Sequence, residues 1–188
     1  MHLITLDQND HHVLRNSAKT VLFPLSQEIK IFIASLKDFV KALKSPHGKP
    51  AGLAATQVGE PLRIFAMQIP EEAKQIRKDV YDIFPLTVWI NPSYFPIESE
   101  DKILDWEGCY SVPDKMGEVY RYKAVRYEAY LENGEKVSGV ARGLMARIIQ
   151  HEVGHLNGEL YVDLLKENCR FGSLEAMWEI RQREMKGI

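Results

Sequence analysis

The run His151-Glu152-Val153-Gly154-His155 constrains this chain more than any other segment. A helix repeats every 3.6 residues, so histidines four apart face one side and can grip a single cation. The glutamate beside the first histidine can then reach a water on that cation, as a metal-dependent hydrolase requires. Leu144, Ile148, His151 and His155 recur at intervals of four, three and four, which puts the histidines on an apolar stripe of a helix predicted over residues 143–156. Asn157 and Gly158 supply its stop. Two buried imidazoles one turn apart each need a polar partner, and a shared ion satisfies both. Two separately hydrogen-bonded core histidines are the plain alternative.

A catalytic ion of this kind takes three protein ligands and keeps one position open. The extended peptidase pattern HExxHxxGxxH is excluded: Gly158 fits its glycine, but Tyr161 stands where the third histidine belongs. A glutamate from a later helix, Glu175 or Glu179, and a cysteine, Cys109, stay open as third ligands. Cys109 and Cys169 are the 2 cysteines, which implies no disulfide framework. With no hydrophobic N-terminal signal and no apolar run of membrane-spanning length, a reducing, cytoplasmic setting is expected.

Three separated segments then resemble one family, the peptide deformylases, in the right order. Gly52-Leu53-Ala54-Ala55-Thr56-Gln57 is similar to its glycine-rich motif, Glu107-Gly108-Cys109-Tyr110-Ser111 to its cysteine motif, and residues 151–155 to HExDH. The resemblance runs from about residue 14 to residue 165, and residues 144–150 and 69–87 look like the mitochondrial and related bacterial (type 1) branch. It implies Cys109, His151 and His155 as ligands of one divalent ion, Fe(II) foremost, with Zn(II), Ni(II) or Co(II) accepting the same donors. It also implies hydrolysis of the formyl group from N-formylmethionyl peptides, and a transient contact with ribosomes. Two positions depart from the pattern. Pro50 replaces a glycine, stiffening the approach to the substrate groove, and Gly154 replaces the aspartate between the ligands. By resemblance that aspartate sits near a basic residue, here Arg121, so the glycine is expected to leave Arg121 short of a carboxylate.

The chemistry follows from the donor types. One thiolate and two neutral imidazoles leave a divalent ion with one net positive charge, enough to polarise a water. Glu152 would carry the proton from that water to the leaving amine. The Gln57 side-chain amide and the Tyr110 backbone N–H are the candidates to meet the developing oxyanion. Gly52, Leu53, Glu107 and Gly108 are candidates for the substrate side, with Glu107 and Arg121 also orienting the ligands by resemblance. Two other readings are carried: a metallopeptidase using Glu175 or Glu179, and a non-catalytic relative that binds N-termini.

The remaining residues read as scaffold. At 188 residues the chain suits one domain, 1–188, burying about 70% of its unfolded surface. Residues 26–43 keep helical spacing behind Ser26 as N-cap. Residues 45–50 read as a loop, 62–69 and 87–90 as buried strands, and 71–79 as a short solvated helix. Asn133-Gly134 marks a hairpin between 125–131 and 136–141. Strands in blocks followed by helices predict an α+β fold, antiparallel sheets packed around the central helix that carries HExxH. A net charge of -2 gives no electrostatic footprint for nucleic acid, and the mixed charges beyond Lys166 read as a solvated helix face.

Overall fold

The computed structural model describes residues 1–44 and 49–187, so most of the expected loop at 45–50 lies outside the described residues. The first helix, α1 (Gln27–Ala42), starts where Ser26 Oγ accepts the Ile29 N–H at 3.3 Å. That bond satisfies one of the donors a helix leaves open at its start. Its buried stripe is Ile33, Leu36 and Val40.

Strands β1 (Gly52–Ala54), β2 (Ile64–Ile69), β3 (Phe84–Pro96), β6 (Ala124–Tyr130) and β7 (Lys136–Arg142) form one antiparallel sheet in the order β1-β2-β3-β6-β7. Strands β4 (Lys102–Cys109), β5 (Val112–Tyr122) and β8 (Phe171–Ser173) form a second, ordered β4-β5-β8. The four-residue helix α2 (Ala73–Ile76) lies in the expected solvated stretch between β2 and β3. Successive side chains of a strand point to opposite faces. On β2, Phe65, Met67 and Ile69 therefore join the cluster under α3 (Gly143–Leu156), whereas Ile64 and Ala66 join the cluster under α1. Each large apolar side chain so buried contributes about 1.5–3 kcal/mol before the entropy of ordering it.

Helix α3 is wedged between the two sheets, and eleven of its residues are buried. Apolar Ile149 and Val153 meet the larger sheet, while the polar Gln150 donates to the Tyr122 carbonyl and accepts the Tyr122 N–H, both at 2.9 Å, at the end of β5. This is the predicted central helix, with the predicted bounds. A last helix, α4 (Leu174–Lys186), lies outside β5 and β8 with no buried residue. Among the described residues no helix is long and apolar enough to cross a membrane.

One expectation needs correction, and two strands went unforeseen. The strand expected at 87–90 extends over all of Phe84–Pro96, because it crosses a register shift between Ile90 and Ser93 with Asn91 at φ 50°. Strands β4 and β5, which carry the cysteine motif, had no strand-like alternation to find. Glu107 and Arg121, charged residues of these strands, turn inward onto buried partners.

Candidate metal centre

Residues two apart on a strand share a face, so Asp105, Glu107 and Cys109 of β4 all turn toward α3. Opposite them, one turn of α3 brings His151 and His155 together with ring centroids 4.9 Å apart. The sulfur of Cys109 and a nitrogen of each histidine all lie within 4.8 Å of one another, and Cys109 Sγ is 3.2 Å from His155 Nε2. Metal–ligand bonds of about 2.0–2.3 Å would put the donors of one tetrahedral ion roughly 3–4 Å apart, so this donor set fits a single divalent cation. A sulfur and two imidazoles suit a transition ion and not magnesium or calcium.

Glu107 orients the group. Its Oε2 lies 2.8 Å from His151 Nδ1, which leaves His151 Nε2 turned toward Cys109. Arg121 grips the same carboxylate through Nε and Nη2 at 2.9 and 3.0 Å, and Arg147 Nη1 adds a third donor at 2.8 Å. Burial alone would raise the Glu107 pKa, but Arg121 and His151 hold it well below the ordinary carboxylate range. With its oxygens taken by these partners, Glu107 stands behind His151 and offers nothing to a substrate. Burial pulls His151 down, yet the Cys109 sulfur and Glu107 outweigh it and hold the imidazole at about 10. His155 goes the other way, lowered by burial and then by His151, and its Nδ1 has no hydrogen-bond partner among the described residues.

Glu152 is 4% exposed and faces β1. Burial pushes its carboxyl up to about 7, the Glu107 charge adds to this, and His151 and Arg121 oppose it. Its Oε2 is buried without a hydrogen-bond partner among the described residues, a costly state unless a water or substrate atom completes it. Gly52 makes the room: a Cβ there would stand 2.3 Å from Glu152 Oε1.

Gln57 is buried, and its amide is oriented from both ends. Oε1 accepts the Ala54 N–H at 2.9 Å, so Nε2 points at Cys109 Sγ, 3.4 Å, and Ser111 Oγ, 3.2 Å. Tyr110 follows the cysteine in the turn that pairs Cys109 with Val112, and the Ser111 N–H donates to Cys109 Sγ at 3.4 Å. Leu53 is wholly buried, and Gly52 before it is half-buried. Gly108 is exposed beside the site, at the register shift before Cys109. Pro50 is held by Gln68, whose Nε2 donates to its carbonyl at 2.9 Å.

The downstream glutamates are not part of this group. Glu175 and Glu179 ride on α4 outside the smaller sheet, and Glu179 faces Arg183 at the surface. A metallopeptidase that needs either as third ligand is excluded by that placement. Sequence reasoning missed Arg147, Gln150 and Glu159. An arginine four residues before His151, on a helix otherwise apolar at that spacing, was the available signal for Arg147. Glu159 corrects the expectation for Arg121, since its Oε1 comes 3.8 Å from Arg121 Nη1, over Gly154.

Residues 3–171 match the family described as polypeptide deformylase. A peptide deformylase 2 of Rickettsia conorii is 38% identical, covering 99% of this chain and 90% of the relative. Among solved structures, a peptide deformylase of Synechococcus elongatus in complex with actinonin is 30% identical with a TM-score of 0.68, covering 89% of this chain and 80% of its own. A class I type b peptide deformylase of Acinetobacter baumannii bound to Met-Ala-Ser is 26% identical with a TM-score of 0.72, covering 88% and 98%.

Proposed function

The chain belongs to the polypeptide deformylase family of metal-dependent hydrolases, and we propose that it removes the N-formyl group from the N-terminal formylmethionine of newly made polypeptides, releasing formate. The observation that carries this reading is the convergence of Cys109, His151 and His155 beside the buried carboxyl of Glu152, whose Oε2 has no hydrogen-bond partner among the described residues. Bound by those three donors, a divalent ion supplies Lewis acidity toward a water and the formyl carbonyl.

Every other part is done by side chains and backbone. Glu152 takes a proton from the attacking water and returns it to the leaving amine, a task suited to a buried carboxyl with an open oxygen. The Gln57 amide, already aimed at the sulfur, and the Tyr110 N–H meet the oxygen as it becomes negative. Strand β1 pairs with β2 on one edge only among the described residues. Its other edge, at Gly52 and Leu53, accepts the extended peptide as an added strand, with Gly108 on the opposite wall. The Met-Ala-Ser complex of the similar Acinetobacter enzyme supports a substrate of that kind.

The finer assignments rest on the same reading. Fe(II) is the working ion by resemblance, with Zn(II), Ni(II) or Co(II) as substitutes for the same donors. The chain acts as one domain in the cytoplasm, in the type 1 branch to which residues 69–87 point, and meets its substrates transiently at the ribosome. Formate release from formyl-Met-Ala is the decisive assay. Turnover should fall about 100-fold or more in Glu152→Gln with the ion retained. A wild-type protein loaded with Fe(II) that releases no formate would sink the proposal.

A further inference from the structure

We propose that Glu159 is a positioning residue of the metal centre: its carboxylate reaches across Gly154 to hold Arg121, and through Arg121 and Glu107 it fixes the His151 imidazole. This rests on the reading of Cys109, His151 and His155 as ligands.

The end of α3 places Glu159 there. The Gly158 N–H donates to the His155 carbonyl at 3.2 Å and the Glu159 N–H to the Gly154 carbonyl at 2.9 Å, the paired closure that ends a helix in a left-handed residue. Gly158 takes that conformation at φ 80°, and a Cβ on it would meet the Arg15 carbonyl oxygen at 2.7 Å. Glu159 is thereby pinned one turn back over Gly154. A Cβ on Gly154 would stand 3.3 Å from Glu159 Oε1, so the glycine leaves open the space this carboxylate uses.

The charges give the contact its purpose. Glu107 is one carboxylate serving Arg121, Arg147 and His151 at once. Arg147 has a second acid, Asp105, 3.8 Å from its Nε. Arg121 is 5% exposed and spends Nε and Nη2 on Glu107; Nη1 is left, and Glu159 is the second acid it faces. With Glu159 neutral, the Arg121 charge would fall on Glu107 alone and compete with His151 for that carboxylate. The site thus keeps a negative group beside Arg121 although residue 154 has no side chain, and an aspartate added at Gly154 alone would meet Glu159 instead of filling a vacancy.

The test uses the full chain loaded with Co(II), whose visible spectrum reports the geometry of sulfur and imidazole donors. Glu159→Gln keeps the size of the side chain and the backbone N–H that closes the helix, so Tm should barely move. Ion release to a chelator should quicken by about 3- to 10-fold, less than the 10- to 100-fold of a residue that contacts a ligand directly. The cobalt d–d bands should shift as well. Because Glu159 is 43% exposed at its side chain, high salt should narrow the gap between variant and wild type. In Gly154→Asp/Glu159→Gln a carboxylate returns from the other side of the gap, and release should slow to within about twofold of wild type. Unchanged release and spectrum in Glu159→Gln at low salt would overturn the proposal, as would a double variant no slower than the single one. A wild-type protein that shows no thiolate-to-cobalt absorption would instead overturn the ligand assignment itself.

Discussion

Gly52 and Glu152 are coupled more tightly than their sequence separation suggests, because the carboxyl of one occupies the space a Cβ of the other would take. Gly52→Ala therefore forces Glu152 to shift, while Cys109, His151 and His155 lie outside the clash. A displacement of about 1 Å in a reacting group typically costs 100-fold, so turnover should drop on that scale with metal content unchanged. Cys109→Ala behaves in the opposite way and should release the ion, since it removes one of three donors. Elemental analysis beside a formate assay separates the two. Metal loss in Gly52→Ala, or metal retained in Cys109→Ala, would mean that the roles of these residues are misassigned.

Among the elements, α3 depends on its polar side chains as much as on its apolar ones. Gln150 bonds both backbone groups of Tyr122 and also donates to the Ala146 carbonyl, so it ties the helix to the strand that bears Arg121. Gln150→Leu would strand the Tyr122 N–H and carbonyl in the interior. Each buried polar group left unpaired costs about 1–3 kcal/mol, and urea denaturation should show a loss of at least that size. A variant as stable as wild type would show that water replaces the amide at no cost. The same polar contacts explain which elements the sequence disclosed. The bounds of α3 were legible because Gly143, Asn157 and Gly158 punctuate a run of helical period. For β5 the reading failed, since Pro113, Asp114 and Gly117 look like breaks and the burial along Met116 to Val119 is continuous, α3 lying on one side and α4 on the other. Two of the proposed ligands were visible as a local pair four residues apart. The third required resemblance, and Glu159 required the fold, because neither its distance from Arg121 nor the gap at Gly154 has any local signature.

Through the whole molecule runs an alternating line of charge: Asp79, Arg77, Asp105, Arg147, Glu107, Arg121 and Glu159. A separate clamp, Glu118 with Arg170, joins β5 to the segment before β8. Burial would raise the carboxyl of Asp79, but Arg77 lowers it; Glu107 is held far lower still by Arg121 against the same burial. In Glu118 the hydrogen bonds from Arg170 are the main cause of a lowered value. A carboxylate depressed in the folded state adds stability at every pH above its unfolded value, and that stability is lost as pH falls through the folded value. The stability these three carboxylates add should therefore be constant from pH 7 to about 5 and diminish below about 4, where ordinary carboxylates protonate. Glu118→Gln and Glu107→Gln then separate the two sites, measured with chelator present throughout so that ion release does not enter. The Glu107 variant should lose about 3–5 kcal/mol at neutral pH, as expected when one partner of a buried ion pair is removed, and the Glu118 variant less. As pH falls, the deficit of Glu118→Gln should shrink before that of Glu107→Gln, because Arg121 and His151 hold Glu107 further below the ordinary carboxylate range than Arg170 holds Glu118. Deficits that shrink together over one pH range would show that Glu107 titrates as an ordinary carboxylate, and that Arg121 and Arg147 do not hold its charge.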